Sequence, residues 1–271
     1  MSKTTPEQAQ RFRQAAEEAA RIGAEVALKH FKKLPSHDFK SNRFDIVTKA
    51  DQESELAIRA YLERTFPDHT LKGEEGSDLV RDSPYSWFID PIDGTANFSK
   101  GFPYFCISVG VAEHGEPVAG AVFNPISQEM FSAAKGCGAT CNGEPIKVSD
   151  TAELSSSFLI NGLPSDRKKH RDTLIRNYGI LIERVLSIKC FGAAALDGCQ
   201  VARGRAEVSH FPIINAWDVA AATIIVREAG GEALTESGAP WTTDCKDIVC
   251  TNGKVSKEFL AAIMGVNDHE H

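Results

Sequence analysis

The sequence predicts a mixed α/β protein, and three observations support that prediction. Apolar residues recur at helical spacing near the N-terminus, strand-like runs with Gly- and Asn-rich turns fill residues 86–149, and helical and strand patterns alternate from residue 157 onward. This alternation indicates layers of helices packed on sheets. We therefore expect one domain over residues 1–271, with an N-terminal half over 1–150 and a C-terminal half over 151–271.

The N-terminal half is predicted to begin with two helices. Residues 6–32 carry apolar side chains at helical spacing, and Pro6 suits a first helical turn. Residues 51–65 predict a second helix, and the short segment before it predicts a strand or an extended loop. Further along, FCISVGVAEHGEPVAGAVFNP predicts two strands that are joined at residues 114–116.

The C-terminal half is predicted to alternate between strands and helices. The predicted strands cover residues 157–161, 185–189, 206–209 and 247–251, and the predicted helices cover residues 168–184, 192–203, 218–229 and 255–264. The third of these helices ends at two consecutive glycines, as helices often do.

Composition and charge argue against several function classes. The 271 residues carry a net charge of −7, which argues against a broad nucleic-acid surface because such a surface is basic. The sequence has neither a signal-peptide core nor an apolar run long enough to span a membrane. The seven cysteines lack the spacing of a zinc site, so we expect reduced thiols and a cytoplasmic protein.

The stretch SWFIDPIDGTANF, residues 86–98, gives the strongest chemical signal. An apolar strand runs into Asp90 and Asp93, and Pro91 restricts the turn between them. Two carboxylates and the Ile92 carbonyl are hard oxygen ligands that suit Mg²⁺. If a helix starts after Gly94, its free N–H groups can bind an anion. A cation site beside an anion site is what metal-assisted phosphoryl chemistry requires.

Other acids lie beside turns or strand ends, and each is a weak signal alone. They are Asp45, Asp51, Glu74, Glu75 and Asp218. Asp45 can be an ordinary loop residue, the two glutamates a solvated turn, and Asp218 a helix N-cap.

Taken together, these segments resemble the inositol monophosphatase family of Mg²⁺-dependent, lithium-sensitive phosphomonoesterases. The resemblance covers nearly the whole chain and includes DIVTKAD, GEE, WFIDPIDGTANF, KGCGATCNGEPIKVS, GAAALDGCQVARGRAE, AWDVAAATIIVREAGG and IVCTNG. It implies a layered αβαβα sandwich of the inositol monophosphatase and sugar phosphatase type. It also implies a homodimer that acts on a small phosphorylated metabolite, with no membrane or nucleic-acid partner.

The resemblance implies a site that holds two to three Mg²⁺ ions. The implied metal ligands are Glu74, Asp90, Ile92 through its carbonyl, Asp93 and Asp218. The N-terminal half would thus carry most metal ligands, and the C-terminal half would supply Asp218 and the segment that sets substrate specificity.

The same resemblance implies roles around the phosphate. Gly94 and Thr95 would bind it, and Asp93 and Ala194 would also lie against the substrate. Thr95 and Glu74 would orient the attacking water, with Asp51 bonded to Thr95. Asp45 resembles a supporting position behind these residues.

Substrate choice departs from the inositol pattern at Phe211. Inositol-type members carry an acid at this position, seven residues before Asp218, and a phenyl ring cannot accept hydrogen bonds from sugar hydroxyls. Phe211 can stack on a planar group or simply pack. His210 can contact a leaving group or serve a turn, and Lys189 and the basic run 165–172 can favour an acidic substrate or lie in solvent.

We therefore expect hydrolysis of inositol monophosphate or of a broad set of phosphate monoesters. Histidinol phosphate and 3′-phosphoadenosine 5′-phosphate are the alternative substrates. A regulatory or binding protein that retains the fold is the alternative from another class.

Overall fold

A computed structural model describes residues 4–31, 37–39 and 46–265. Asp45 lies outside the described residues. The helices are α1 Pro6–His30, α2 Lys49–Thr65, α3 Thr95–Ser99, α4 Arg171–Leu181, α5 Ala194–Ala202, α6 Ala216–Glu228 and α7 Ser256–Met264. The first strands are β1 His37–Phe39, β2 Ile46–Thr48, β3 Thr70–Gly73, β4 Tyr85–Asp93, β5 Cys106–Glu113, β6 Glu116–Asn124 and β7 Glu129–Ala134. The later strands are β8 Ala139–Cys141, β9 Glu144–Pro145, β10 Phe158–Asn161, β11 Ser187–Lys189, β12 Val208–Phe211, β13 Glu232–Leu234 and β14 Ile248–Thr251.

A seven-stranded sheet forms the first large layer, with the strands in the order β3-β4-β5-β6-β7-β8-β9. All its neighbouring pairs are antiparallel except β3 and β4, which are parallel. Helices α1 and α2 cover one face, where Phe12 and Leu62 pack against Trp87 in a buried cluster. The other face packs against α6.

Two glycines let α6 approach this sheet closely. A Cβ atom at Gly110 would lie 2.7 Å from the Ala221 nitrogen, and one at Gly120 would lie 2.7 Å from the Ala221 Cα. Larger residues would push the helix away from the sheet. The close contact brings the first turn of α6, which carries Asp218, to the end of β4.

A five-stranded sheet forms the second large layer, with the strands in the order β11-β10-β12-β14-β13. Helices α5 and α6 contact this sheet from one side. On the other side, α4 and α7 supply Leu181 and Phe259 to a buried cluster with Leu159 and Val208. The order of layers is therefore helices, sheet, helices, sheet and helices, which confirms the predicted αβαβα sandwich.

Several predicted boundaries are wrong by a few residues. Helix α4 covers Arg171–Leu181 rather than 168–184, because residues 167–170 form a turn in which Asp166 Oδ1 accepts the Lys169 N–H at 3.3 Å. Helix α6 starts at Ala216 rather than at 218, because Asn215 rather than Asp218 occupies the N-cap position. Strand β12 is shifted from the predicted 206–209 to Val208–Phe211.

The division into two halves at residue 150 stays a prediction. The strands of the large sheets lie within 70–145 and 158–251, respectively. Within the described part of the chain, no helix is both long enough and apolar enough to cross a membrane.

Candidate active site

The end of β4 forms a bulge that carries the two aspartates. The pairing of β4 with β5 shifts register between Asp90 and Asp93. The Ile92 N–H donates to Asp90 Oδ1 at 3.0 Å, which fixes the first carboxylate inside the bulge. Gly94 follows with φ of 94°, a conformation that favours glycine, and α3 begins at the next residue. The bulge therefore ends the strand and aims its carboxylates away from the regular ladder.

Thr95 and Asp51 are in contact, although they are far apart in the sequence. The Thr95 hydroxyl lies 3.2 Å from Asp51 Oδ1 and 3.0 Å from the Ile92 carbonyl oxygen. Asp51 is fully buried in the first turn of α2, where its Oδ2 accepts the Thr48 N–H at 2.9 Å. The capping interaction at the start of α2 therefore also fixes the acceptor for the Thr95 hydroxyl.

Three carboxylates converge at this end of β4. Ligand atoms of Glu74, Asp90 and Asp218 all lie within 4.8 Å of one another. They come from the end of β3, the β4 bulge and the first turn of α6. Asp218 Oδ2 accepts the Asn215 N–H at 2.9 Å, so the N-terminus of α6 sets its orientation. We refer to these three residues as the carboxylate cluster.

Glu55 supports the turn that carries Glu74, and our sequence analysis missed it. Its buried carboxylate accepts the N–H groups of Glu75 at 2.8 Å and Gly76 at 2.9 Å. Arg59 Nε donates to the same carboxylate at 2.7 Å. A sequence signal for Glu55 does exist, because it lies four residues after Asp51 and three before Ile58, on the inward face of α2.

Asp93 lies beside the cluster, but its carboxylate faces the start of α5. Oδ1 accepts the Ala194 N–H at 3.0 Å, and Oδ2 accepts the Ala195 N–H at 2.7 Å. Burial raises the pKa of Asp93 to about 6, although these two hydrogen bonds act in the opposite direction. Ala194 thus lines the site, and its N–H binds Asp93. The metal-ligand role of Asp93 stays a prediction.

The electrostatics of the cluster fit a divalent cation with hard oxygen ligands. Burial raises the pKa of Asp90 well above its usual value, and the negative charges of Glu74 and Asp93 raise it further. Burial and the charge of Glu74 likewise raise the pKa of Asp218. A bound cation would remove this mutual repulsion, and an all-carboxylate donor set suits Mg²⁺ better than a soft metal.

A cleft of about 360 Å³ opens beside the cluster. Its lining residues are Glu74, Asp93, Gly162, Leu163, Pro164, Ser165, Gly192, Ala194, Phe211, Ile213, Ile214, Asn215, Trp217 and Asp218. Phe211 therefore faces the same cleft as the acids.

Lys189 and His210 do not line this cleft. Lys189 contributes to a different cavity, and its ammonium group lies 5.6 Å from the centre of the Phe158 ring. His210 is fully buried, and its Nε2 lies 2.7 Å from Glu236 Oε1. Because His210 and Phe211 are consecutive in β12, their side chains lie on opposite faces of the sheet. The substrate contacts assigned to Lys189 and His210 stay predictions that this geometry does not support.

Comparison with known proteins agrees with this arrangement. The model of the inositol monophosphatase family matches residues 8–267. The chain belongs to the inositol monophosphatase family. An inositol-1-monophosphatase from Synechocystis sp. is 38% identical over 250 residues, which cover 92% of this chain and 87% of the relative. The Nus factor SuhB of Xylella fastidiosa is 36% identical over 222 residues, which cover 82% of this chain and 80% of the relative.

The inositol monophosphatase fold is also shared with solved structures. The inositol monophosphatase from Anabaena (Nostoc) sp. superposes with a TM-score of 0.86 at 35% identity, and the match covers 96% of this chain and 98% of that chain. Membership of the family supports a phosphomonoesterase activity.

Proposed function

We propose that the protein hydrolyses a small phosphate monoester with the help of Mg²⁺ and releases inorganic phosphate. The observation that supports this most strongly is the carboxylate cluster next to the Thr95–Asp51 contact. In the reaction, the oxygen of water bonds to phosphorus and the bond from phosphorus to the ester oxygen breaks. One proton of the water ends on the departing oxygen, so the products are an alcohol and phosphate.

Glu74, Asp90 and Asp218 would hold the cation. The Ile92 carbonyl and Asp93 complete the proposed ligand set, and two to three ions per site remain part of the proposal. When bound, Mg²⁺ would offset the charge of the phosphate and lower the pKa of water near it. This offset is needed because the cluster alone would repel a phosphate dianion.

The protein's own groups would then position the phosphate and the water. The N–H groups of Gly94 and Thr95 face no helical partner at the start of α3 and would donate to phosphate oxygens. The Thr95 hydroxyl donates to Asp51, so its oxygen would accept a hydrogen bond from the attacking water and orient it. Glu74 would orient the same water from the other side of the site.

Phosphate release from methyl phosphate in the presence of Mg²⁺ tests the proposal. We expect release by the wild type that stops when EDTA is added. Thr95→Ala should lower kcat roughly 100-fold, since it removes the hydroxyl that contacts Asp51, whereas Thr95→Ser should retain most of the activity. No Mg²⁺-dependent release from any of several monoesters by the folded protein would refute the proposal.

A binding or regulatory role is the second candidate, and the similarity to the Nus factor SuhB of Xylella fastidiosa favours it. This role predicts that the folded protein still forms a complex with a macromolecule after substitutions in the carboxylate cluster.

The homodimer that the resemblance implies is also a proposal, and sedimentation equilibrium tests it.

A further inference from the structure

Two segments bring apolar residues to the cleft beside the carboxylate cluster. Strands β10 and β12 are parallel neighbours, with Asn161 paired to His210. Phe211 at the end of β12 and the residues that follow both strands therefore lie at the same end of the sheet. We call their apolar members the apolar wall: Gly162, Leu163, Pro164, Phe211, Ile213 and Ile214.

The Phe211 ring is a fixed part of this wall. Only 7% of Phe211 is exposed. The ring lies directly against Gly162, since a Cβ atom at position 162 would be 1.9 Å from Phe211 Cδ1. The Gly162 N–H donates to the His210 carbonyl at 2.9 Å, which fixes the backbone under the ring. The ring therefore presents a small apolar surface to the cleft and has no open face for a stacked base.

The charged side chains in the lining of this cleft are all acidic. Among the described residues that line it, the acids are Glu74, Asp93 and Asp218, and none is Lys, Arg or His. Ser165, Asn215 and Trp217, through its indole N–H, are the uncharged side chains with polar groups. A second phosphate on the substrate would therefore meet no cationic side chain in the lining.

The apolar wall also disfavours a polyol. A sugar-like leaving group that enters the cleft loses hydrogen bonds to water, and each bond that the wall fails to replace costs binding energy. An apolar leaving group gains free energy when it covers Leu163 and the edge of Phe211, because apolar surface leaves water. Leu163 is 40% exposed, so its surface is available for this contact.

We propose that the apolar wall is the leaving-group subsite, and that it selects phosphate monoesters of apolar or aromatic alcohols over polyol phosphates and bisphosphates. Phe211 is the residue that sets this preference. The inference rests on the phosphatase function proposed above and adds the class of substrate.

The test compares the kcat/KM values of the wild-type protein, with Mg²⁺ present, for three phosphate monoesters. Methyl phosphate reports the metal and phosphate end alone, since its leaving group does not reach far along the cleft. 2-Phenylethyl phosphate and inositol 1-phosphate add an apolar and a polyol leaving group, respectively. All three release an alcohol, so their intrinsic reactivities are similar. We expect 2-phenylethyl phosphate to exceed inositol 1-phosphate by about tenfold or more.

The outcomes separate the two proposals. Hydrolysis of all three esters with inositol 1-phosphate equal or preferred would overturn the apolar subsite and leave the phosphatase function standing. No hydrolysis of any ester, including methyl phosphate, would overturn the phosphatase function and the subsite with it.

Variants at position 211 assign the preference to this side chain. Phe211→Gln supplies groups that hydrogen-bond hydroxyls and should reduce the ratio of 2-phenylethyl to inositol phosphate at least about fivefold. Phe211→Leu keeps the wall apolar and should retain the ratio. Ile175→Gln, on the exposed side of α4, is the control for a new amide elsewhere and should not change the ratio. An unchanged ratio in folded Phe211→Gln would refute the role of Phe211, and the wild-type ratio remains decisive if that variant does not fold.

Discussion

The acidic residues of the cleft, which we call its charged end, and the apolar wall, which we call its apolar end, differ in how they are held. At the charged end, backbone N–H groups fix Asp90, Asp93 and Asp218, and each of these donors comes from a bulge or a helix N-terminus. At the apolar end, Phe211 is held by contact with the backbone of Gly162. Charged groups need directed partners, whereas an apolar wall needs only shape and a supporting surface.

This contrast indicates different tolerance to change. A carboxylate that moves by a fraction of an ångström loses its contact with a cation, so the charged end depends on several supporting residues. The apolar end can change its side chains without loss of the chemical step. We therefore expect substitutions at the charged end to change rate and metal affinity, and substitutions at the apolar end to change substrate preference.

Asp90→Asn should give the largest effect. The amide removes a central charge of the cluster, and kcat should fall roughly 1,000-fold because several kcal/mol of metal-based stabilisation is lost. The metal-free variant should melt at a higher temperature than the metal-free wild type, since one buried and repelled carboxylate is gone. Kinetics and thermal melting measure both effects. Near wild-type turnover at saturating Mg²⁺ would contradict the role of the cluster.

Glu55→Gln should give the next largest effect. The amide weakens the support of the turn after Glu74 and leaves Arg59 without a carboxylate partner. The affinity for Mg²⁺ should therefore fall about 10- to 100-fold, which is typical when a residue that supports a metal ligand is changed. Isothermal titration calorimetry measures this affinity. Glu53→Gln is the matched control on the same helix, because Glu53 pairs with His30 and Lys49 at the surface. Equal affinities in the two variants would show that Glu55 does not position Glu74.

The carboxylates of the charged end should also make the stability of the metal-free protein depend on pH. The pKa of Asp93 is raised from 3.8 to about 6, so the folded protein binds this proton more tightly than the unfolded chain does. That contribution to stability is complete below about pH 4 and is lost as pH rises through 6, and Asp90 and Asp218 shift in the same direction.

Melting curves of the protein with EDTA or with Mg²⁺ measure this effect. Mg²⁺ competes with the protons, so it should raise the melting temperature by several degrees more at pH 8 than at pH 5. An equal Mg²⁺ effect at both pH values would place the bound ion away from these carboxylates.

Leu163→Ala should give the smallest effect. It removes part of the exposed surface of the apolar wall, so KM for 2-phenylethyl phosphate should rise about three- to tenfold. KM for methyl phosphate and the affinity for Mg²⁺ should stay within about twofold of the wild-type values. A parallel loss for both esters would mean that the two ends of the cleft do not act separately.

The strongest local signals in the sequence predicted most of the charged end. Asp90 and Asp93 follow a buried strand and precede Gly-Thr, and the structure places them in a bulge that ends at Gly94. Sequence reasoning alone could not place Asp218 there, because a fold is needed to join positions that lie more than 100 residues apart. The family resemblance supplied that link.

Other features could not be predicted because they depend on strand register and tertiary contacts. His210 and Phe211 are adjacent, and a shift of one residue in β12 would exchange the side chain that faces the cleft. The contact of Asp93 with the N-terminus of α5 joins residues that are about 100 positions apart. Glu55 was missed because a glutamate on a helix is usually exposed, although it shares the inward face of α2 with Asp51 and Ile58.

The most direct test of the central claim is to locate the metal. Mn²⁺ is a suitable probe, since it binds the same hard oxygen ligands as Mg²⁺ and scatters anomalously. In crystals soaked with Mn²⁺, we predict an anomalous peak in contact with the carboxylates of Glu74, Asp90 and Asp218. A protein that releases phosphate with Mn²⁺ but shows its only peaks away from these three residues would contradict the account.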